Sequence, residues 1–167
     1  MKKTLIGAAI VAVVSLTHSA NAQAATGTGT ATAKVLAPIA IAAGANLNFG
    51  TIASGAVGTV VVTSAGARSA TGGVGLVTDG ANAPTAGVFT VTGAAGYGFS
   101  ITLPVGTASI TSGANSMTVG TFTSTPSGSG TLVAGTATVN VGGTLNVGLN
   151  QAAGNYTGTY PVTVNYN

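Results

Sequence analysis

The chain predicts an all-β domain, a sandwich of short antiparallel strands, and three observations carry that reading. From residue 33 onward, roughly eight to ten short β-rich runs follow one another, with turn signals about every 8–12 residues. No stretch past residue 22 keeps the apolar spacing of a convincing helix. The last dozen residues place Tyr156, Tyr160, Val162, Val164 and Tyr166 on even positions and Thr157, Thr159, Thr163 and Asn165 on odd ones. Such alternation describes a strand with one buried face. A terminus patterned this well needs something to pair with, because chain ends otherwise fray.

The N-terminus changes the counts. Lys2 and Lys3 precede an apolar run from Leu5 to Val14, then a polar stretch and Ala20-Asn21-Ala22, the three-part pattern of a secretory signal peptide cleaved after Ala22. The run is about half of the roughly 20 residues that span a bilayer, so the mature chain is expected to be exported without a membrane span. Removing 22 of the 167 residues leaves 145, enough for one domain with its own core. Lys34, Arg68 and Asp79 are then the charged side chains, a net charge of +1. No basic patch exists for nucleic acid. With no cysteine, export is not used for disulfides. Low charge also removes the repulsion that keeps proteins apart, so a strand-rich chain of this kind is predisposed to associate.

In order, Gln23–Thr32 is a flexible extension of small residues, and the sandwich is expected over 33–167. Ala33, Val35, Ala37, Ile39 and Ile41 form an alternating apolar face, with Pro38 on the other side marking an edge strand. Leu47–Ile52 is a short strand, Thr59–Ser64 is β-branched, Gly72–Thr78 is a weaker strand, and Asp79–Pro84 is a loop. Gly87–Thr92 and Tyr97–Leu103 read as a hairpin with Val91 opposite Phe99 and Phe89 opposite Ile101, since facing residues share a side of the sheet. Met117–Thr123 is a further strand and Ser124–Gly130 a flexible loop. A second hairpin is expected around Gly142–Thr144, pairing Val141 with Leu145 and Val139 with Val147.

Chemistry is scarce. Past residue 22 there is no His, Cys or Glu and one Asp, while acid–base or nucleophilic catalysis needs positioned titratable groups. Only Asp79 and Lys34 remain, and Lys34 has no motif around it, so no enzyme, cofactor or metal is expected. Asp79 with Asn82 reads as a turn pair rather than a calcium ligand set. Asn155-Tyr156-Thr157 matches a glycosylation acceptor pattern, a short motif that arises often by chance.

Leu47-Asn48-Phe49-Gly50-Thr51, Val141-Gly142-Gly143-Thr144-Leu145 and the run from Gly154 through Tyr160 to Tyr166 resemble a bacterial exported domain-of-unknown-function family similar to spore coat protein U and the archaic chaperone–usher pilins. The resemblance implies an incomplete immunoglobulin-like sandwich lacking its final strand. Gly154 and Tyr166 match the upstream glycine and the penultimate aromatic that frame the last strand in such pilins. Gly154, Tyr156, Tyr160, Val162, Val164 and Tyr166 would then form the strand that a periplasmic chaperone recognises and that the extension of the next subunit completes by β-augmentation. Two features depart from the pattern: the cysteine pair of archaic pilins is absent, and Gln23–Thr32 offers only small side chains beside its single glutamine. Either the donor or edge strand includes Val35, Ala37, Ile39 and Ile41, or the protein does not polymerise in that way. The implied function is a structural subunit of a cell-surface fibre or coat, self-associating or handled by chaperone and usher, serving adhesion or biofilm formation. The alternative is a self-complete secreted β-sandwich that binds a ligand such as carbohydrate. An outer-membrane barrel ranks third, because two aromatic girdles are lacking.

Overall fold

A computed structural model describes residues 23–167; the signal peptide expected over 1–22 lies outside the described residues. Residues 23–39 carry no regular structure, and a compact unit runs from Val35 to Asn167. Twelve strands follow: β1 (Ala40–Ala43), β2 (Ile52–Ala53), β3 (Gly58–Val62), β4 (Arg68–Gly72), β5 (Gly75–Leu76), β6 (Gly87–Thr92), β7 (Gly98–Thr102), β8 (Ala108–Ser112), β9 (Asn115–Thr125), β10 (Ser129–Thr131), β11 (Thr136–Val147) and β12 (Thr163–Tyr166). All pairings are antiparallel, and the described residues form three sheets. The largest contains β1, β6, β11, β3, β4, β9 and β8; a second runs β10-β7-β12; β2 and β5 form a short third. The protein is an all-β, sandwich-like domain, as its patterning predicts.

The longest strand, β11, organises the large sheet, and here the expected Gly142–Thr144 hairpin is wrong. Ala137, Val139, Val141, Gly143, Leu145 and Val147 all fall on the inward side of one continuous strand, so the alternation passes through Gly142-Gly143 without changing phase. A chain that reverses has no need to keep that phase. Residues 136–141 pair with β6, and residues 143–147 pair with β3, so the glycines sit where one neighbour hands over to the next. A Cβ on Gly142 would lie 2.5 Å from the Val62 carbonyl oxygen and 2.6 Å from the Ser64 nitrogen, a backbone approach only glycine permits. On the other side β9 pairs with 140–146, with a bulge opposite Gly143 at Thr121, whose φ is +48°.

The first expected hairpin is also corrected. β6 pairs with β1 and β11, whereas β7 pairs with β10 and β12. Gly93–Tyr97 therefore carries the chain from one sheet to the other, and Val91 meets Phe99 and Ile101 across the core instead of beside them. Both arrangements bury the same faces, which is why alternation alone does not separate them.

Further differences concern short strands. Arg68–Gly72 and Ala108–Ser112 are strands that the apolar pattern hides, Ser129–Thr131 is a strand that begins within the expected loop, and Leu149 lies exposed past the end of β11. Of the terminal stretch from Tyr156, only Thr163–Tyr166 forms a ladder, although its even positions do turn inward.

Candidate functional site

The inward face of the large sheet carries two hydrophobic clusters. One gathers Val91, Val139 and Val141 against Phe99, Ile101, Leu132 and Val164 and is roofed by the β10-β7-β12 sheet. The other gathers Val60, Val62, Met117, Val119, Leu145 and Val147. Its roof is Phe49, Val74 and the partly buried Leu47, Ile52 and Tyr156, most of them outside any strand. Between the two walls of that irregular roof, residues 45–52 and 154–160, lies a groove of about 650 Å³ with Met117, Val119 and Leu145 on its floor.

One wall is braced by Arg68. Its guanidinium donates to the carbonyls of Phe49 and Thr51, both at 3.1 Å, and of Val77 at 3.0 Å. Asn48 donates to the Asn82 side chain and the Ala83 carbonyl and accepts from the Gly50 amide. Gly50 has a φ of +71° and no room for a side chain, because a Cβ would collide with the Arg68 guanidinium. The Leu47–Thr51 motif is thus a scaffold for the groove wall. Asp79 is spent locally: it accepts from the Thr51 hydroxyl and the Ala81 amide in the expected turn with Asn82. Among the described residues no three His, Cys, Asp or Glu side chains gather into a metal site. Arg68 is a residue that motif reading passes over, although being the one arginine of the chain was a signal.

The opposite wall and the strand after it contain the residues singled out from sequence. Gly154 is exposed on the groove rim against the Ser112 hydroxyl. Tyr156 packs on the open cluster; its hydroxyl donates to the Ala152 carbonyl at 2.7 Å and accepts from Gln151 at 2.8 Å. Thr157 bridges Thr111 through two backbone bonds. Tyr160 stands at the seam, stacked on Phe122 with centroids 5.0 Å apart and edge-on to Phe89 at 6.0 Å. Burial pushes the Tyr160 phenol above its ordinary pKa. Val162, Val164 and Tyr166 pack on the roofed cluster, as do Ile39 and Ile41. Val35 and Ala37 do not join them: both are exposed, Val35 at 92%.

The ladder geometry of β12 decides what this strand can do. Asn167 donates its amide to Gly98, so in the antiparallel register Asn165 and Thr163 exchange bonds with β7, while the backbone of Val164 and Tyr166 faces away from it. No strand of the described residues pairs along that outer side.

These features define a class: an all-β antiparallel sandwich whose core is roofed by a sheet over one half and by irregular segments over the other, ending in an unpaired edge. The family model for Domain of unknown function (DUF4402) matches residues 39–166, and the chain belongs to that family. Neither the curated proteins nor the solved structures contain a match. Among the described residues no helix is long and apolar enough to cross a membrane.

Proposed function

We propose that the protein is an exported, non-enzymatic structural subunit of a cell-surface fibre or coat, similar to spore coat protein U and archaic chaperone–usher pilins. It assembles by adding an extended strand to the outer edge of β12. The observation that carries this reading is that edge: Val164 is buried in the core while its backbone faces away from β7, and among the described residues no strand lies beyond it. Proteins usually cover such edges, and a strand added there gains ladder bonds along its whole length. The irregular roof over half of the core is what an incomplete immunoglobulin-like sandwich leaves open. The incoming strand comes from a second copy or from a periplasmic chaperone that precedes delivery to an usher. A nearly uncharged surface favours close association.

The carbohydrate-binding alternative has less support in the groove. The Tyr160 ring is stacked on Phe122, and the Asn48 amide is bonded to Asn82 and Ala83, so the groups that would stack on or grip a sugar already have partners.

Val162→Asp tests the reading. A charge at this partly buried position, packed on the roofed cluster just before β12, should reduce assembled or partner-bound protein recovered from the periplasm by at least about tenfold, since desolvating an unpaired carboxylate costs several kcal/mol. Size-exclusion chromatography with light scattering measures it, and thermal melting checks that the monomer is folded. Assembly at the wild-type level would sink the proposal.

A further inference from the structure

The outer edge of β12 is unpaired, but it is not unobstructed. A strand laid along Val164 and Tyr166 would send alternate side chains into the roofed cluster. That space already holds Ile39 and Ile41. Some Cα atoms of β1 also come within 8 Å of Cα atoms of β12, closer than the ~10 Å at which stacked sheets stand, so the two sheets draw together on this side.

What holds this segment down is small and specific. Tyr166 reaches out of β12 to donate its hydroxyl to the Ala37 carbonyl at 2.8 Å and accepts the Ala94 amide at 2.7 Å. One side chain thus ties three segments together: the terminal strand, the crossover after β6, and the chain entering β1. Gly93 makes room for that hydroxyl, since a Cβ there would collide with it. Upstream of Ala40 the segment makes no ladder, Pro38 has no amide to offer, and β1 itself is a four-residue edge strand held by β6 alone. The cover satisfies the core's apolar surface without pairing the β12 backbone.

We propose that Leu36–Ile41 is a built-in strap: Ile39 and Ile41 plug the core beside β12, the Tyr166 hydroxyl is the latch, and the edge accepts an added strand only when the strap swings out. The proposal rests on the assembly reading above for what the opened edge receives, and on the structure alone for the strap. It gives the protein a closed form that keeps its edge from pairing indiscriminately.

The chain has no cysteine, so a single introduced one is a clean reporter. With Ile41→Cys as the reporter in the full chain, Tyr166→Phe should speed thiol labelling by roughly two- to twelvefold, the ratio allowed by losing the bond to Ala37, which of the two Tyr166 hydroxyl bonds is the one that reaches the strap. Ile39→Ala, which leaves both Tyr166 bonds in place, should speed it as well. A Val60→Cys reporter in the other cluster should stay protected throughout. Unchanged Ile41→Cys labelling in both variants overturns the strap. Equal acceleration at Val60→Cys in both variants also overturns it, because the fold is then loosening as a whole. Light scattering on the same samples separates the two proposals. Faster labelling without any assembly supports the strap and removes the assembly reading, whereas faster assembly with unchanged labelling keeps assembly and removes the strap.

Discussion

The two halves of the core are built on the same face of the same sheet, yet they are closed in different ways. Over Val91, Val139 and Val141 the roof is a three-stranded sheet whose inward residues interlock with the core below. Over Val60, Val119 and Leu145 the roof is a pair of irregular walls with a groove between them. A sheet satisfies its own backbone while it covers apolar surface. Irregular segments need side chains to do that, and here Arg68 and Asn48 supply the bonds. The difference teaches that coverage and closure are separate achievements: the second half is buried without being sealed.

The largest effect that would break or sharpen this contrast comes from one chemistry applied to both halves. Phe99, on β7 of the roofing sheet, is fully buried, and Phe49 lines the groove. Phe99→Ala should cost about 3–5 kcal/mol in urea unfolding, because packed surroundings cannot collapse into the cavity. Phe49→Ala should cost about 1–2 kcal/mol less, because the irregular roof can settle and water can enter. Equal losses would mean that the groove wall is as rigid as the sheet.

A middle-sized effect belongs to the brace. Arg68→Met keeps the apolar stem but leaves the Phe49 and Val77 carbonyls without their donor, while the Thr51 carbonyl keeps the Val77 amide, so stability should fall by about 2 kcal/mol. Hydrogen exchange should rise along residues 47–52 and remain unchanged in β7 and β12. Protection lost equally in both halves would erase the distinction between them.

The smallest effect lies at the seam. Burial raises the folded-state pKa of Tyr160 above its ordinary value of 10.0, so its contribution to stability is complete below that value and is lost as pH rises through the raised one. Tyr160→Phe should flatten the alkaline end of the stability–pH curve, as read from melting temperatures. An unchanged curve would place the phenol in better contact with solvent than its packing against Phe89 and Phe122 indicates.

How much of this was legible in the sequence depends on the range of the information. The even positions from Tyr156 to Tyr166 turn inward as their alternation predicts, even though only the last four residues of that run form a ladder. Strand β6 keeps the predicted bounds, and the Asp79–Asn82 turn forms as its residues suggest. The two hairpins fail for a shared reason. Gly93–Gly96 and Gly142-Gly143 are permissive, and glycine allows a turn, a crossover or straight passage with equal ease. At Gly142-Gly143 the unbroken phase from Val139 to Val147 goes with passage. Arg68 stayed hidden because three backbone carbonyls from distant positions leave no motif.

By itself the sequence determined the class of fold and which side of each strand is buried. Side-chain direction in a strand has a period of two set by local covalent geometry, so it survives whatever neighbours the strand acquires. Only the tertiary structure decided which strands are neighbours, that one half of the core lacks a sheet above it, and that Ala37 meets Tyr166 across 129 positions. Those outcomes rest on contacts between distant residues, and many pairings bury the same apolar faces equally well.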